Sequence, residues 1–114
     1  MAETPDDTFE LYDLSVEVLL RPGGSFVCGH VLGLAFKVVG EDLLFEDRVS
    51  FSLYAMSALL PLLPGVQRAN QPYDWMTAET DVACPDPNCG AIFRISRAGR
   101  TSFSRTTATQ PRTT

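Results

Sequence analysis

The stretch DVACPDPNCGAIFRI, residues 81–95, reads as two extended runs joined by a stiff connection. Val82 and Cys84 share one face of the first run, and Phe93 and Ile95 share one face of the second. Between them, Pro85, Pro87, Asn88 and Gly90 are turn residues. The pattern predicts a β-hairpin with a cysteine at each side of its connection, Cys84 and Cys89.

Upstream, Leu14, Val16, Val18 and Leu20 alternate with Asp13, Ser15, Glu17 and Leu19, which predicts a half-buried strand. RPGG at 21–24 is a turn. LAFKVVG then resumes alternation, with Leu34, Phe36 and Val38 on one side and Lys37 opposite, and Gly40-Glu41-Asp42 predicts a tight turn. LLFED follows as a short extended piece or a covering loop. Between the two strand pairs lies a helical stripe of Phe51, Tyr54, Ala55, Ala58, Leu59 and Leu62, with Ser50 as the expected N-cap. Pro61 removes an amide donor and clashes with the preceding turn, so the helix should kink there or restart at 61–68. Segregated strands around one helix define an α+β fold: a single small domain with a mainly antiparallel sheet packed on one central, Pro-kinked helix. The expected boundaries are an acidic disordered lead at 1–10, the domain at 11–98 and a disordered Arg/Thr-rich tail at 99–114.

The chain has 114 residues and a formal charge of −5. Acids concentrate before residue 48, and the arginines at 94, 97, 100, 105 and 112 lie in an acid-free end. These arginines are spread out and lack interleaved aromatics, and the acidic remainder repels phosphate, so nucleic-acid binding is not expected. MAETPDDTFE has no apolar h-region, and no apolar run reaches the length of a membrane span. The expectation is a cytoplasmic protein with reduced thiols and no membrane partner. An exposed sheet edge in so small a domain leaves room for a homodimer.

Three cysteines and one histidine carry the chemistry: Cys28, His30, Cys84 and Cys89. Thiolate and imidazole are preferred zinc ligands, and residues i and i+2 of an extended segment share a face, so Cys28-x-His30 and Cys84-x4-Cys89 form a Cys3His set if the two segments meet. Against this stands the reading of Cys28 and Cys84 as buried apolar thiols and Cys89 as a loop thiol. A Cys84–Cys89 redox disulfide is a further option. The catalytic reading uses no cofactor. His30 is the one residue with an ordinary pKa near neutrality and serves as acid–base group, with Asp86 and Cys84 orienting or assisting it. Phe36, Tyr54, Tyr73 and Trp75 supply apolar or aromatic surface for a small-molecule substrate, although for Tyr73 and Trp75, one aromatic pair in a loop, a structural lid over the helix is the favoured reading. No phosphate loop, dinucleotide fingerprint or nucleophile elbow is present.

The segments CGHVLGLAF, LYAMSALLPLLPG, YDW and VACPDPNCGAIFRI together resemble a family of small uncharacterised proteins, mostly bacterial with fungal relatives. The resemblance spans about residues 12–97, with Gly29, His30, Cys84, Pro85 and Asp86 as its matched core. Members usually read Cys-Pro-x-Gly-His, whereas Cys28 here abuts Gly29; they carry a cysteine where this chain has Ser52-Leu53, and they usually lack Cys89. The resemblance implies one domain with one site and no particular reaction. The leading expectation is a cofactor-free lyase or isomerase acting on a small organic acid or polyketide-like molecule, with a place in a biosynthetic pathway. The alternative is a zinc-binding structural or protein-interaction module.

Overall fold

The computed structural model describes residues 7–46, 50–77 and 79–105. Alternating segments pair into a five-stranded sheet of order β3-β2-β1-β5-β4. The strands are β1 (Thr8–Leu20), β2 (Gly33–Val39), β3 (Asp42–Leu44), β4 (Glu79–Ala83) and β5 (Ala91–Ser104), and every neighbouring pair is antiparallel. Two short helices, α1 (Leu53–Leu59) and α2 (Leu63–Val66), carry the chain between the strand pairs. The α+β expectation holds: this is one small domain with the helices packed on the sheet.

Burial explains the choice of faces. Leu14, Val16 and Val18 of β1, Phe36 and Val38 of β2, and Phe93 and Ile95 of β5 join Ala55, Leu59, Leu63 and Val66 in one buried cluster. Each fully buried large side chain contributes about 1.5–3 kcal/mol from apolar surface removed from water. Pro61 falls between α1 and α2, and the helix restarts as expected. The cap is Ser52, not Ser50: its backbone is extended and its side chain accepts from the Ala55 amide at 3.2 Å. The buried stripe therefore runs through Ala55, Leu59, Leu63 and Val66, while Tyr54 faces outward at 75 % exposure.

Leu34 departs from the expected face. Val16 pairs with Phe36 but Glu17 pairs with Leu34, so Ala35 is an extra residue in β2. This bulge places both Ala35 and Phe36 in the core and turns Leu34 to the other side. The domain boundaries also move outward. β1 starts at Thr8 and β5 continues to Ser104, because the two strands pair along that whole length. The Arg/Thr-rich segment 99–104 has no core to build but has a partner strand to hydrogen-bond. The remaining ends, 1–6 and 106–114, for which disorder was expected, lie outside the described residues.

Candidate metal centre

The β1–β5 pairing brings two irregular connections to the same end of the sheet: residues 21–32 after β1, and residues 84–90 before β5. They are stitched by backbone bonds. The Arg21 amide donates to the Gly90 carbonyl and the Gly90 amide to the Ser25 carbonyl, both at 2.8 Å. The contact requires two residues without side chains. A Cβ on Gly90 would stand 3.0 Å from Gly24 Cα, and one on Gly24 would stand 3.1 Å from Gly90 Cα. Within 84–90, the Asp86 carbonyl accepts from the Cys89 amide at 3.0 Å and its Oδ1 accepts from the Asn88 amide at 3.0 Å. That turn folds Cys89 back toward Cys84.

Beyond Gly24 the chain runs without regular structure and bends at Cys28-Gly29, with Phe26, Cys28 and His30 partly buried and Val27 and Gly29 exposed. Cys28 and His30, on either side of Gly29, both bring their ligand atoms to the cluster. Ligand atoms of Cys28, His30, Cys84 and Cys89 all lie within 4.8 Å of one another, close enough to bind a metal. Cys84 Sγ is 3.5 Å from His30 Nε2 and 3.9 Å from Cys28 Sγ. A tetrahedral zinc with Zn–S of about 2.3 Å and Zn–N of about 2.0 Å sets S···S at about 3.8 Å and S···N at about 3.5 Å. The two Cys84 separations are close to these values, the four ligand atoms as a set lie within 4.8 Å of one another, and three sulfurs with one imidazole suit a soft-to-borderline cation.

The surroundings differ from ligand to ligand. Cys84 and Cys89 are buried, whereas Cys28 is only partly so. Burial and the neighbouring Cys84 and Cys89 sulfurs push the Cys28 thiol up to about 12. Burial also opposes ionisation of Cys89, but bonds from the Cys28, Val27 and Ala91 backbones outweigh it and lower that thiol to about 7. Cys89 is thus the sulfur most prepared to be a thiolate. The His30 ring stands edge-on to Phe93 at 5.1 Å between centroids, with Phe26 and Phe51 at 6.2 and 6.4 Å.

Two clefts flank the cluster. One, of about 280 Å³, is lined by Cys28, Gly29, His30, Ser50, Phe51 and Ser52. The other, of about 340 Å³, is lined by Cys28, Ser52, Tyr54, Cys84, Pro85 and Asp86. Asp86 also faces the cluster, with Cys28 Sγ donating to its Oδ2 at 3.7 Å. Of the expected substrate-contacting residues, Tyr54 reaches a cleft wall. Phe36 is 1 % exposed and lies behind Phe51, its ring 5.5 Å away, so it supports the wall from within the core. Tyr73 and Trp75 stand out in solvent at 101 % and 62 % exposure and line neither cleft. Ser52, Phe51, Gly24 and Gly90 are residues the sequence places in a helix, its start or a turn, not at a site. The first two reach the site through the start of α1, and the two glycines through the loop contact, both long-range features. No family model, curated protein or solved structure matches this chain.

Proposed function

We propose that the protein is a zinc-binding module, with Cys28, His30, Cys84 and Cys89 holding one metal ion that fastens the 21–32 connection to the β4–β5 hairpin. The carrying observation is the mutual 4.8 Å clustering of four soft ligand atoms drawn from two distant segments. The Cys89 thiol, lowered toward neutrality by backbone donors, supports the reading. Four protein ligands complete a tetrahedral shell, which is the structural type of zinc site. Binding then adds directly to folding free energy.

Metal analysis of the purified protein, with thiol titration in parallel, tests this. About one zinc per chain, with thiols that titrate only after chelation, is the expected result. A metal-free chain whose thiols react independently of chelator would overturn it. The second reading, cofactor-free acid–base catalysis by His30 with Asp86 and Cys84 in a lyase or isomerase, draws on the two clefts beside these residues. It leaves Cys89 without a role, whereas the zinc reading uses all four. A metal-free protein in which His30→Ala abolishes turnover of a small organic substrate would favour it instead.

A further inference from the structure

We infer that the outward face of α1 is a docking surface for a second copy of this chain, seated antiparallel across a two-fold axis near Ser57. The inference goes beyond the metal centre and does not need it. Residues 50–67 carry no charged side chain, although the chain as a whole has a formal charge of −5. Ala55 and Leu59 turn into the core. The opposite side of the helix shows Leu53, Tyr54, Ser57 and Leu60 to solvent, with exposed Pro61 just beyond. At 3.6 residues per turn, positions 53, 57 and 60 fall on one stripe, and 54 and 61 flank it.

Area, charge and shape together favour a second copy as the occupant. Leu53, Tyr54 and Leu60 are 76 %, 75 % and 46 % exposed, and with exposed Ser57, Pro61 and Pro64 they present roughly 500 Å² per copy, or about 1,000 Å² for a pair, the lower bound of a specific interface. A face without charges offers a charged partner no ion pair and strips its charge of water, whereas a second copy brings the same charge-free surface. By contrast, exposed Leu43, Leu44 and Phe45 at the β3 edge are bracketed by Glu41, Asp42 and Glu46, so pairing two copies there sets carboxylates against carboxylates. Ser57 is small enough to let two helices cross closely. Its hydroxyl already donates to the Tyr54 carbonyl at 2.7 Å, so burying it leaves no donor unpaired. The antiparallel seating lays Leu53 and Tyr54 of one copy against Leu60 and Pro61 of the other. Tyr54 also lines the cleft beside Cys28, so the interface reaches the rim of that cleft.

The test is analytical ultracentrifugation of the full chain as purified, over a range of concentrations. The mass should rise reversibly from the 12.5 kDa of one chain to twice that between about 1 and 100 μM, as suits a small interface. Leu53→Glu should weaken the pair by about tenfold or more with the circular dichroism spectrum unchanged, because an acid in the first turn favours the helix itself. Tyr54→Asp, also in the first turn, gives the same readout should Leu53→Glu fail to fold. The double variant Leu53→Glu/Leu60→Lys sets opposite charges against each other across the axis and should recover most of the loss. No recovery would overturn the antiparallel seating. A chain that stays monomeric to about 1 mM, including one that sediments with phosphatidylcholine vesicles as a monomer, overturns the inference. So does a dimer that Leu53→Glu leaves intact, or one that Leu43→Glu disperses instead. Metal content plays no part in any of these outcomes, so this inference and the zinc reading stand or fall separately.

Discussion

The two ends of the β1–β5 pair are held by different physics. At one end, Thr8–Tyr12 lies against Arg100–Ser104 in unbroken register. Phe9 stacks on Phe103 at 5.3 Å, and the Arg100 guanidinium lies 4.9 Å from the Tyr12 ring centroid. Regular hydrogen bonding and side chains that, buried Leu11 apart, are exposed or half-buried suffice there. At the other end, residues 21–32 form no strand or helix, and the 84–90 connection is bridged to them by a few backbone bonds and the sulfur–imidazole cluster. A ladder is cooperative along its length, while two irregular loops need a point fastening. The proposed metal supplies it.

The largest expected effect therefore comes from unfastening. Chelation, or Cys89→Ser, should cost about 3 kcal/mol or more and lower the melting temperature by about 10 °C or more. Amide exchange should speed up within 21–32 and 84–90, while Thr8–Tyr12 and Arg100–Ser104 keep their protection. Equal loss at both ends, or a melting curve indifferent to chelator, would erase the distinction.

The glycine contact sharpens the comparison without touching a ligand. Gly90→Ala forces a Cβ to 3.0 Å from both Gly24 Cα and the Ser25 nitrogen, neither of which is a flexible side-chain tip. A cost of about 2 kcal/mol with weakened zinc retention is expected. Gly29→Ala is the control, because a Cβ there meets no heavy atom within 4 Å. It should change stability by less than about 0.5 kcal/mol. If the two variants behave alike in a denaturant titration, close backbone approach is not what shapes the site.

Those glycines show where reading the sequence stops. Local alternation was enough to find the strands, because a strand's buried face repeats within the strand itself: Val16 with Val18, Phe93 with Ile95. The bulge at Ala35 was not legible, since an extra residue exists only relative to the partner strand. For the same reason 99–104 read as tail. Its Ser, Thr and Arg residues lack a core pattern, and their ordering comes from a strand some ninety positions away in sequence. At the candidate site, the residue types and the two short spacings were visible. Their meeting was only conditional, because it depends on β1 pairing with β5. Chemical type alone leaves Tyr73 and Trp75 as pocket wall or lid, and their loop holds them in solvent.

At the ladder end, Phe9→Ala should cost about 1 kcal/mol, the scale of one partly exposed aromatic pair, and leave zinc content unchanged. Loss of metal in this variant would mean the two ends are coupled more tightly than the sheet geometry implies.

The smallest effect is expected at the rim of the sheet, on β4 and β5. Asp81 and Arg94 are direct cross-strand partners, with Nε to Oδ1 at 2.9 Å and Nη2 to Oδ2 at 3.1 Å. The bond from Arg94 holds the Asp81 carboxyl below its ordinary value of 3.8. A carboxyl lowered in the folded state stabilises at neutral pH, and that contribution is lost as pH falls through the lowered folded value. Both side chains are exposed by more than a third, so water screens the pair. Asp81→Asn should cost no more than about 0.5 kcal/mol at neutral pH. Urea titrations of parent and variant across the acid range should converge once the carboxyl is protonated. A deficit that persists undiminished in acid would show that the side chain's packing, not its charge, holds this edge.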